Sequence, residues 1–265
     1  MLFRSLEQGR EDDWQARRTA DPTTSVVQSL GVKLASAAGV AAWRRDGSPA
    51  TWDVNPAVSV ADPQGFVDGN APPLHAAPGK PSVESVSTGP SDLRYDGKAL
   101  SALPADPALL RTMLLEGYQS RYDGPASSWL FDAAFGLLAE PVTPAVRSAV
   151  YRLLAALPDV RNLGAVRDVA GQEGTGIALD SRQPRCLIPG SPQDVPGSSS
   201  PPTASCVVQE RLIINPATGL PLAQELAYLT PPGGQRWPVP GGLFSYLVFG
   251  SSGWTNRTPP GGTTP

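Results

Sequence analysis

The stretch "TPAVRSAVYRLLAALP" (residues 143–158) runs directly into "DVRNLGAVRDV" (159–169), and the two have different hydrophobic periods. Thr143 is a helix-capping residue, and Pro144 suits the first helical position. Apolar residues then recur at helical spacing, at Val146, Ala149, Val150, Leu153, Leu154 and Leu157. After Pro158 the apolar residues alternate with polar ones, as in a strand. This junction predicts a helical segment followed by a β segment.

Two further helices are predicted upstream. "LPADPALLRTMLLEGY" (103–118) has Asp106 as cap, Pro107 at the first helical position and Gly117 as a stop. "SSWLFDAAFGLLAE" (127–140) carries apolar residues at helical spacing from Trp129 to Leu138. With the helix after Thr143, these predict a three-helix insert over residues 98–158.

Downstream, apolar alternation predicts an antiparallel β-meander over residues 159–257. Its strands are "VRNLGAVRDV", "GTGIALD", "CVVQERLIIN" and "LFSYLVF" (243–249), together with a hairpin over 210–229. The hairpin turn, Asn215 to Gly219, fits a type I turn closed by a left-handed glycine.

Residues 1–97 are predicted to be N-terminal strands and a Pro-rich irregular segment of the same domain. A hairpin is predicted at 41–54, with Trp43 and Trp52 on strands around the Asp46-Gly47 turn. Residues 258–265 are expected to form a disordered tail. The fold class is α+β: an antiparallel, curved sheet with a three-helix insert packed on it, plus long Pro/Gly-rich loops.

Composition restricts the classes of partner. The net charge is −3 and the pI is near 5.2, without a basic stripe, so nucleic acid and anionic membrane surfaces are not expected partners. The chain has no run of 18 apolar residues that would span a bilayer. The 30 Pro and 27 Gly predict long irregular connections beside a core.

The two cysteines, Cys186 and Cys206, flank a Pro/Ser-rich loop at 187–205. A disulfide would close a loop of about 21 residues and stabilise the fold by roughly 3 kcal/mol. The alternative is a pair of free, partly buried thiols. A disulfide favours an oxidising, extracytoplasmic location.

No catalytic, metal-binding or cofactor-binding set is predicted. His75 is the only histidine, and Ser245, the nearest candidate nucleophile, is more simply a strand residue. The carboxylates Glu116, Asp132, Glu140 and Asp168 are expected to be solvated, although a catalytic pair is a spatial feature that sequence does not exclude.

Aromatic residues on or beside predicted strands offer a binding face. These are Trp43, Trp52, Trp237, Tyr246, Phe249 and Trp254. A concave sheet would hold an apolar ligand or a partner's segment against them. The alternative is that they form the core between sheet and helices.

Three motifs also resemble a known family. They are "LPADP" at 103–107, "PAVRSAVYRLLAALP" at 144–158 and "LIINPATGLPL" at 212–222, supported upstream by "WRRDGSPATW". Together they resemble an uncharacterised family of actinobacterial, Streptomyces-type, membrane-anchored extracytoplasmic proteins, over residues 98–229. The resemblance implies a cytoplasmic segment and a transmembrane helix upstream in a longer parent protein. It brings no assigned catalytic residues. The family's layout is similar to periplasmic lipoprotein carriers and sigma-factor regulatory proteins.

The expected function is therefore non-enzymatic recognition, at the cell envelope, of an apolar small molecule or lipid, or of an envelope protein. A role in signalling is part of this expectation. The alternative is a carboxylate-based hydrolase acting on envelope material. A purely structural envelope protein is a third class.

Overall fold

A computed structural model supplies the structure of the chain, which forms two compact units. The first comprises Met1–Pro90, Gly190–Gln193 and Asn256–Pro265, and the second comprises Ser91–Pro189 and Asp194–Thr255. The structure describes residues 5–14, 23–34, 37–52, 74–75, 77–86, 97–116, 118, 125–187, 203–231, 241–250 and 252–253.

Within the described residues of the first unit there are two small sheets and one helix. Strands β1 (Ser5–Trp14) and β2 (Thr23–Leu34) form a three-stranded antiparallel sheet with β5 (Ser82–Val86). Helix α1 (Ala37–Arg45) follows β2, and the two-residue strands β3 (Thr51–Trp52) and β4 (Leu74–His75) pair with each other.

The hairpin predicted at 41–54 is not formed, because its first half is α1. The backbone N–H of Ser48 donates to the carbonyl of Trp43 at 3.0 Å, and Gly47 and Ser48 have φ of 84° and 54°. The Asp-Gly dipeptide therefore ends a helix through left-handed residues instead of turning between two strands.

In the part of the second unit that the structure describes, four helices come first: α2 (Gly97–Ala102), α3 (Pro107–Glu116), α4 (Ala126–Ala139) and α5 (Pro144–Ala155). The predicted caps are present: the Asp106 carboxylate accepts from the N–H groups of Ala108 and Leu109, both at 2.9 Å. The Thr143 hydroxyl accepts from the N–H of Val146 at 3.3 Å.

Five antiparallel strands follow among its described residues: β6 (Val160–Arg167), β7 (Glu173–Leu187), β8 (Thr203–Ile214), β9 (Pro221–Thr230) and β10 (Gly242–Val248). Their order in the sheet is β10-β9-β8-β7-β6. Each of the four pairings contains a register shift, and such irregularities bend and twist strands. The predicted α+β class with an open, curved antiparallel sheet is confirmed.

The 215–219 turn between β8 and β9 is hydrogen bonded to α5. Gly219 has φ of 65°, as the sequence predicts, and its N–H donates to the carbonyl of Asn215 at 2.8 Å. The hydroxyl of Tyr151 on α5 donates to the carbonyl of Gly219 at 2.7 Å. Burial raises the pKa of Tyr151 to about 12, so this donor stays protonated.

Two apolar clusters lie along the sheet. The larger joins α2 to α5 with Leu179 of β7 and Leu212 of β8. The smaller contains Cys186, Cys206, Val208 and Tyr228. The disulfide between Cys186 and Cys206 is formed, with the two Cα atoms 5.9 Å apart, and it links β7 to β8 as predicted. Most of the loop it closes and the predicted tail lie outside the described residues.

Candidate functional site

Strand register places Glu210, a carboxyl group, on the side of the sheet that the helices cover. Glu210 pairs with Leu179 of β7 and with Leu226 of β9. Leu212, two residues along β8 and therefore on the same side, belongs to the helix-packed cluster. Glu210 is only 7% exposed. We call this side of the five-stranded sheet the helix side and the other the far side.

Glu210 meets a second carboxyl group on α4. The side chains of Asp132 and Glu210 hydrogen bond to each other. The Nε2 group of Gln224 on β9 donates to Glu210 Oε1 at 2.5 Å. Two carboxyl groups bond only when one carries a proton, so Asp132 and Glu210 form a pair that shares a proton.

The environments of the two groups indicate which one is protonated. Burial raises the pKa of Glu210 well above its ordinary value of 4.5, Asp132 raises it further, and Gln224 lowers it. Burial also raises the pKa of Asp132, whereas the hydrogen bond from Glu210 lowers it. Glu210 therefore holds the proton, and its O–H group donates a hydrogen bond to the carboxylate of Asp132.

Asp132 connects this buried pair to solvent. It is exposed by surface area, although enough protein surrounds its carboxyl to raise its pKa. One turn along α4, Gly136 is also exposed, and a Cβ atom there would meet nothing within 4 Å.

Beside the pair, the helix side of the sheet carries an exposed apolar residue. Leu247 of β10 pairs with Gln224 and is 48% exposed. We define the α4–β10 surface as Asp132, Gly136, Gln224 and Leu247, with Glu210 beneath. It combines an apolar side chain with a proton-sharing pair of carboxyl groups.

A second polar contact joins α4 to the sheet one turn before Asp132. The hydroxyl groups of Ser128 and Ser181 hydrogen bond at 2.8 Å, and both residues are buried. At the other end of α4, the ring of Phe135 packs edge-on against Phe249 with centroids 5.0 Å apart. The carboxyl pair lies between these two attachment points.

The far side of the sheet carries a chain of polar contacts across four strands. Asp180 accepts from Arg161 at 2.5 Å and from Gln209 at 2.9 Å. The Arg211 Nε group then donates to Gln209 at 2.6 Å, and an Arg211 terminal nitrogen lies 3.7 Å from Glu225. These contacts stabilise the pairing of neighbouring strands, and this structural role accounts for their presence.

The aromatic residues predicted to form one binding face are found in different settings. Trp43 is half-buried on α1, where its indole N–H donates to the carbonyl of Pro49 at 3.1 Å. Trp52 lies on β3, also in the first unit. Tyr246 pairs with Glu225 and so faces the far side, whereas Phe249 packs against the helix cluster. Trp237 and Trp254 lie outside the described residues.

Two of the carboxylates predicted to be solvated differ from that expectation. Asp168 is buried, and it closes the β6–β7 turn by accepting from the N–H of Gln172 at 2.7 Å. Asp132 is exposed but bonded to Glu210. Glu116 is exposed at the end of α3, and Glu140 is half-buried at the end of α4.

Sequence reasoning did not single out Glu210, although a signal for it exists. In "CVVQERLII", Cys206, Val208, Glu210 and Leu212 share one face of a strand, so alternation places a carboxyl group among apolar residues. A charge at such a position predicts a raised pKa or a buried partner.

The other predicted candidates stand as follows. His75 lies on β4 and pairs with Thr51 through the backbone, and Ser245 is an exposed residue of β10. Among the described residues, no three His, Cys, Asp or Glu side chains are grouped to hold a metal ion, and no helix is long and apolar enough to cross a membrane. Comparison with protein-family models, curated proteins and solved structures finds no match.

Proposed function

We propose that this chain is a non-enzymatic, extracytoplasmic binding module that holds an apolar ligand, or an apolar segment of a protein partner, at the α4–β10 surface. The observation that carries the proposal is the position of Leu247. It exposes nearly half of its surface on the helix side, next to a strand whose Gln224 contacts the carboxyl pair.

The chemistry of the surface favours a ligand with an apolar body and a polar end. Leu247 offers apolar contact, and the open position at Gly136 leaves room beside α4. The Asp132 carboxylate supplies a hydrogen-bond acceptor on the same surface. Binding sites for small molecules commonly combine an apolar lining with a few fixed polar groups.

The location at the cell envelope is part of the same proposal. The Cys186–Cys206 disulfide supports it, because such bonds persist in oxidising compartments and are rare in reducing ones. Membership of the actinobacterial membrane-anchored family, a role in signalling and an anchored parent protein belong to this proposal as well.

Native mass spectrometry of the domain purified from its host's envelope, before and after organic extraction, tests the proposal. We expect a bound apolar adduct that extraction removes and that Leu247→Arg abolishes. The matched control is Leu109→Arg on α3, where a 62% exposed leucine lies outside the α4–β10 surface. An adduct that survives Leu247→Arg, or an empty mass together with no partner cross-linked at position 247, would overturn it.

A carboxylate-based hydrolase acting on envelope material is the second candidate, and the shared proton is the observation that favours it. Two carboxyl groups that share a proton supply an acid and a base side by side. Glycosidase pairs stand about 5–9.5 Å apart, whereas Asp132 and Glu210 are in hydrogen-bond contact, so this pair would suit another bond. Release of soluble fragments from purified envelope material, lost in Glu210→Gln, would favour this candidate over binding.

A further inference from the structure

The carboxyl pair joins helix α4 to strand β8 of the sheet. Glu210 is fixed on β8, a central strand with partners on both sides. Asp132 is on α4, exposed and able to turn toward water. If the pair loses its proton, two carboxylates face each other at the helix–sheet contact, and the mobile partner is the one on the helix.

We propose that the proton shared by Asp132 and Glu210 controls how tightly α4 packs on the sheet, so that acidification tightens this contact and neutralisation loosens it. The proposal holds whether or not the α4–β10 surface binds a ligand. The physical reason is that like charges in contact repel and a buried carboxylate lacks the hydration it would have in water.

Other contacts confine the loosening to one side of the helix. Leu130 and Leu138 are no more than 1% exposed within the helix cluster, and the Ser128–Ser181 and Phe135–Phe249 contacts flank the pair. None of the residues in these contacts titrates. The helix therefore stays in its cluster, and the separation is limited to the contact with β8 and β9.

The surrounding elements carry few groups that would imitate this effect. On β7 the facing polar group is Ser181, and on β9 it is Gln224, neither of which titrates. Tyr228 of β9 has its pKa raised from 10.0 by burial, so it stays neutral. From α3 and α5, the cluster presents apolar residues to α4, namely Leu110, Leu114, Val150 and Leu154.

The far side contains a buried carboxyl group, Glu225, whose titration has to be controlled for. Glu225 is only 4% exposed, and this burial raises the pKa of its carboxyl group. The nearby Arg211 partly offsets the effect by lowering that pKa. Glu225 lies on the opposite side of the sheet from α4, next to the β6–β7 turn. A Glu225→Gln variant therefore separates its titration from that of the carboxyl pair.

Hydrogen–deuterium exchange across pH 4.5 to 8, with rates normalised to the intrinsic rate at each pH, tests the inference. We expect protection of residues 126–139 to fall with rising pH, by up to about tenfold per pH unit for the loss of one proton. Residues 144–155 of α5 serve as an internal reference, because they should lose protection only as far as global stability falls and therefore less than α4.

Variants decide whether the pair is responsible. Glu210→Gln removes the titrating group while keeping a hydrogen-bonding side chain, so it should make α4 protection independent of pH. Asp132→Asn removes the repulsion between two carboxylates but leaves Glu210 buried, so it should shift the loss of α4 protection to lower pH and make it smaller. Glu116→Gln and Glu225→Gln should retain the wild-type response. Constant protection of α4 in the wild type, equal loss in α4 and α5, or a pH response that persists in Glu210→Gln would each overturn the inference.

Discussion

The protonated carboxyl group of Glu210 on β8 donates a hydrogen bond to the carboxylate of Asp132 on α4, 78 residues earlier in the chain. This contact ties the helical layer to the centre of the sheet. The ionisable side chain of Glu210 is almost entirely buried there, since the residue is only 7% exposed.

The stability of the fold should decrease as pH rises. The folded-state pKa of Glu210 is raised above its ordinary value of 4.5, so the folded protein keeps a proton that the unfolded chain loses. Stability is therefore greatest below about pH 4.5 for this group and declines as pH rises through the folded pKa, by at most about 1.4 kcal/mol per pH unit.

Urea denaturation at a series of pH values measures this slope. Glu210→Gln should flatten it, whereas Glu116→Gln, which alters an exposed carboxylate on α3, should leave it unchanged. A slope of the opposite sign in the wild type would contradict the assignment of the proton to Glu210.

Removing the disulfide should destabilise the second unit. Replacing Cys186 and Cys206 together by serine should lower the free energy of unfolding by about 3 kcal/mol, since the unfolded chain gains the freedom of an unclosed loop. Comparing denaturant midpoints of the oxidised wild type with those of the double variant measures this loss. Equal midpoints would indicate that the linkage contributes nothing to stability.

The contact between α5 and the 215–219 turn should contribute as much to the free energy of unfolding as a typical hydrogen bond. Tyr151→Phe removes the donor to the Gly219 carbonyl and should cost about 1 kcal/mol. Spectrophotometric titration of tyrosine in the wild type should also find one group with a pKa of about 12, and this group should be missing from the variant. An unchanged titration curve would exclude Tyr151 as its source.

Two glycines should respond in opposite directions to alanine. At Gly174 a Cβ atom would lie 2.7 Å from Ile213 Cγ2 and 2.8 Å from the Ile214 carbonyl oxygen, so Gly174→Ala should destabilise by about 1–3 kcal/mol. At Gly136 the space is open and the residue is helical, so Gly136→Ala should stabilise by about 0.5–1 kcal/mol. Thermal or urea denaturation of both variants checks the signs, and destabilisation by Gly136→Ala would show that the space is occupied.

Local signals were sufficient for most of the second unit. The caps at Asp106 and Thr143 and the change of hydrophobic period after Pro158 placed three helices and the following strand within a few residues. These signals act over one or two turns and need no tertiary context. They also gave the left-handed glycine at position 219 and the pairing of Cys186 with Cys206.

The first unit was harder to predict, because its strands lack an apolar alternation. β1, "SLEQGREDDW", is mostly polar, and its pairing with β2 defines it. In α1, the Ala-rich segment has high helix propensity, yet the Asp46-Gly47 turn signal was assigned to a hairpin. The same dipeptide ends a helix equally well, and only the residues before it decide between the two.

The candidate site was the least accessible from sequence. Alternation along β8 marks Glu210 as a carboxyl group on an apolar face, but its partner is set by how α4 crosses the sheet. α4 is buried at eight of its 14 positions, so a charge on it has few ways to remain fully solvated. Aromatic spacing alone does not locate a binding face, because aromatic residues pack equally well into cores and binding surfaces; Tyr246 and Phe249, for example, face opposite sides of the sheet.

The most direct test of the shared proton is a ¹³C NMR titration of the side-chain carboxyl carbons of Asp132 and Glu210 in the folded wild-type protein. We expect the Glu210 carboxyl group to titrate well above pH 4.5, the Asp132 carboxyl group to respond at the same pH, and Asp132→Asn to lower the pKa of Glu210. Independent titration of both groups near their ordinary values would contradict this expectation.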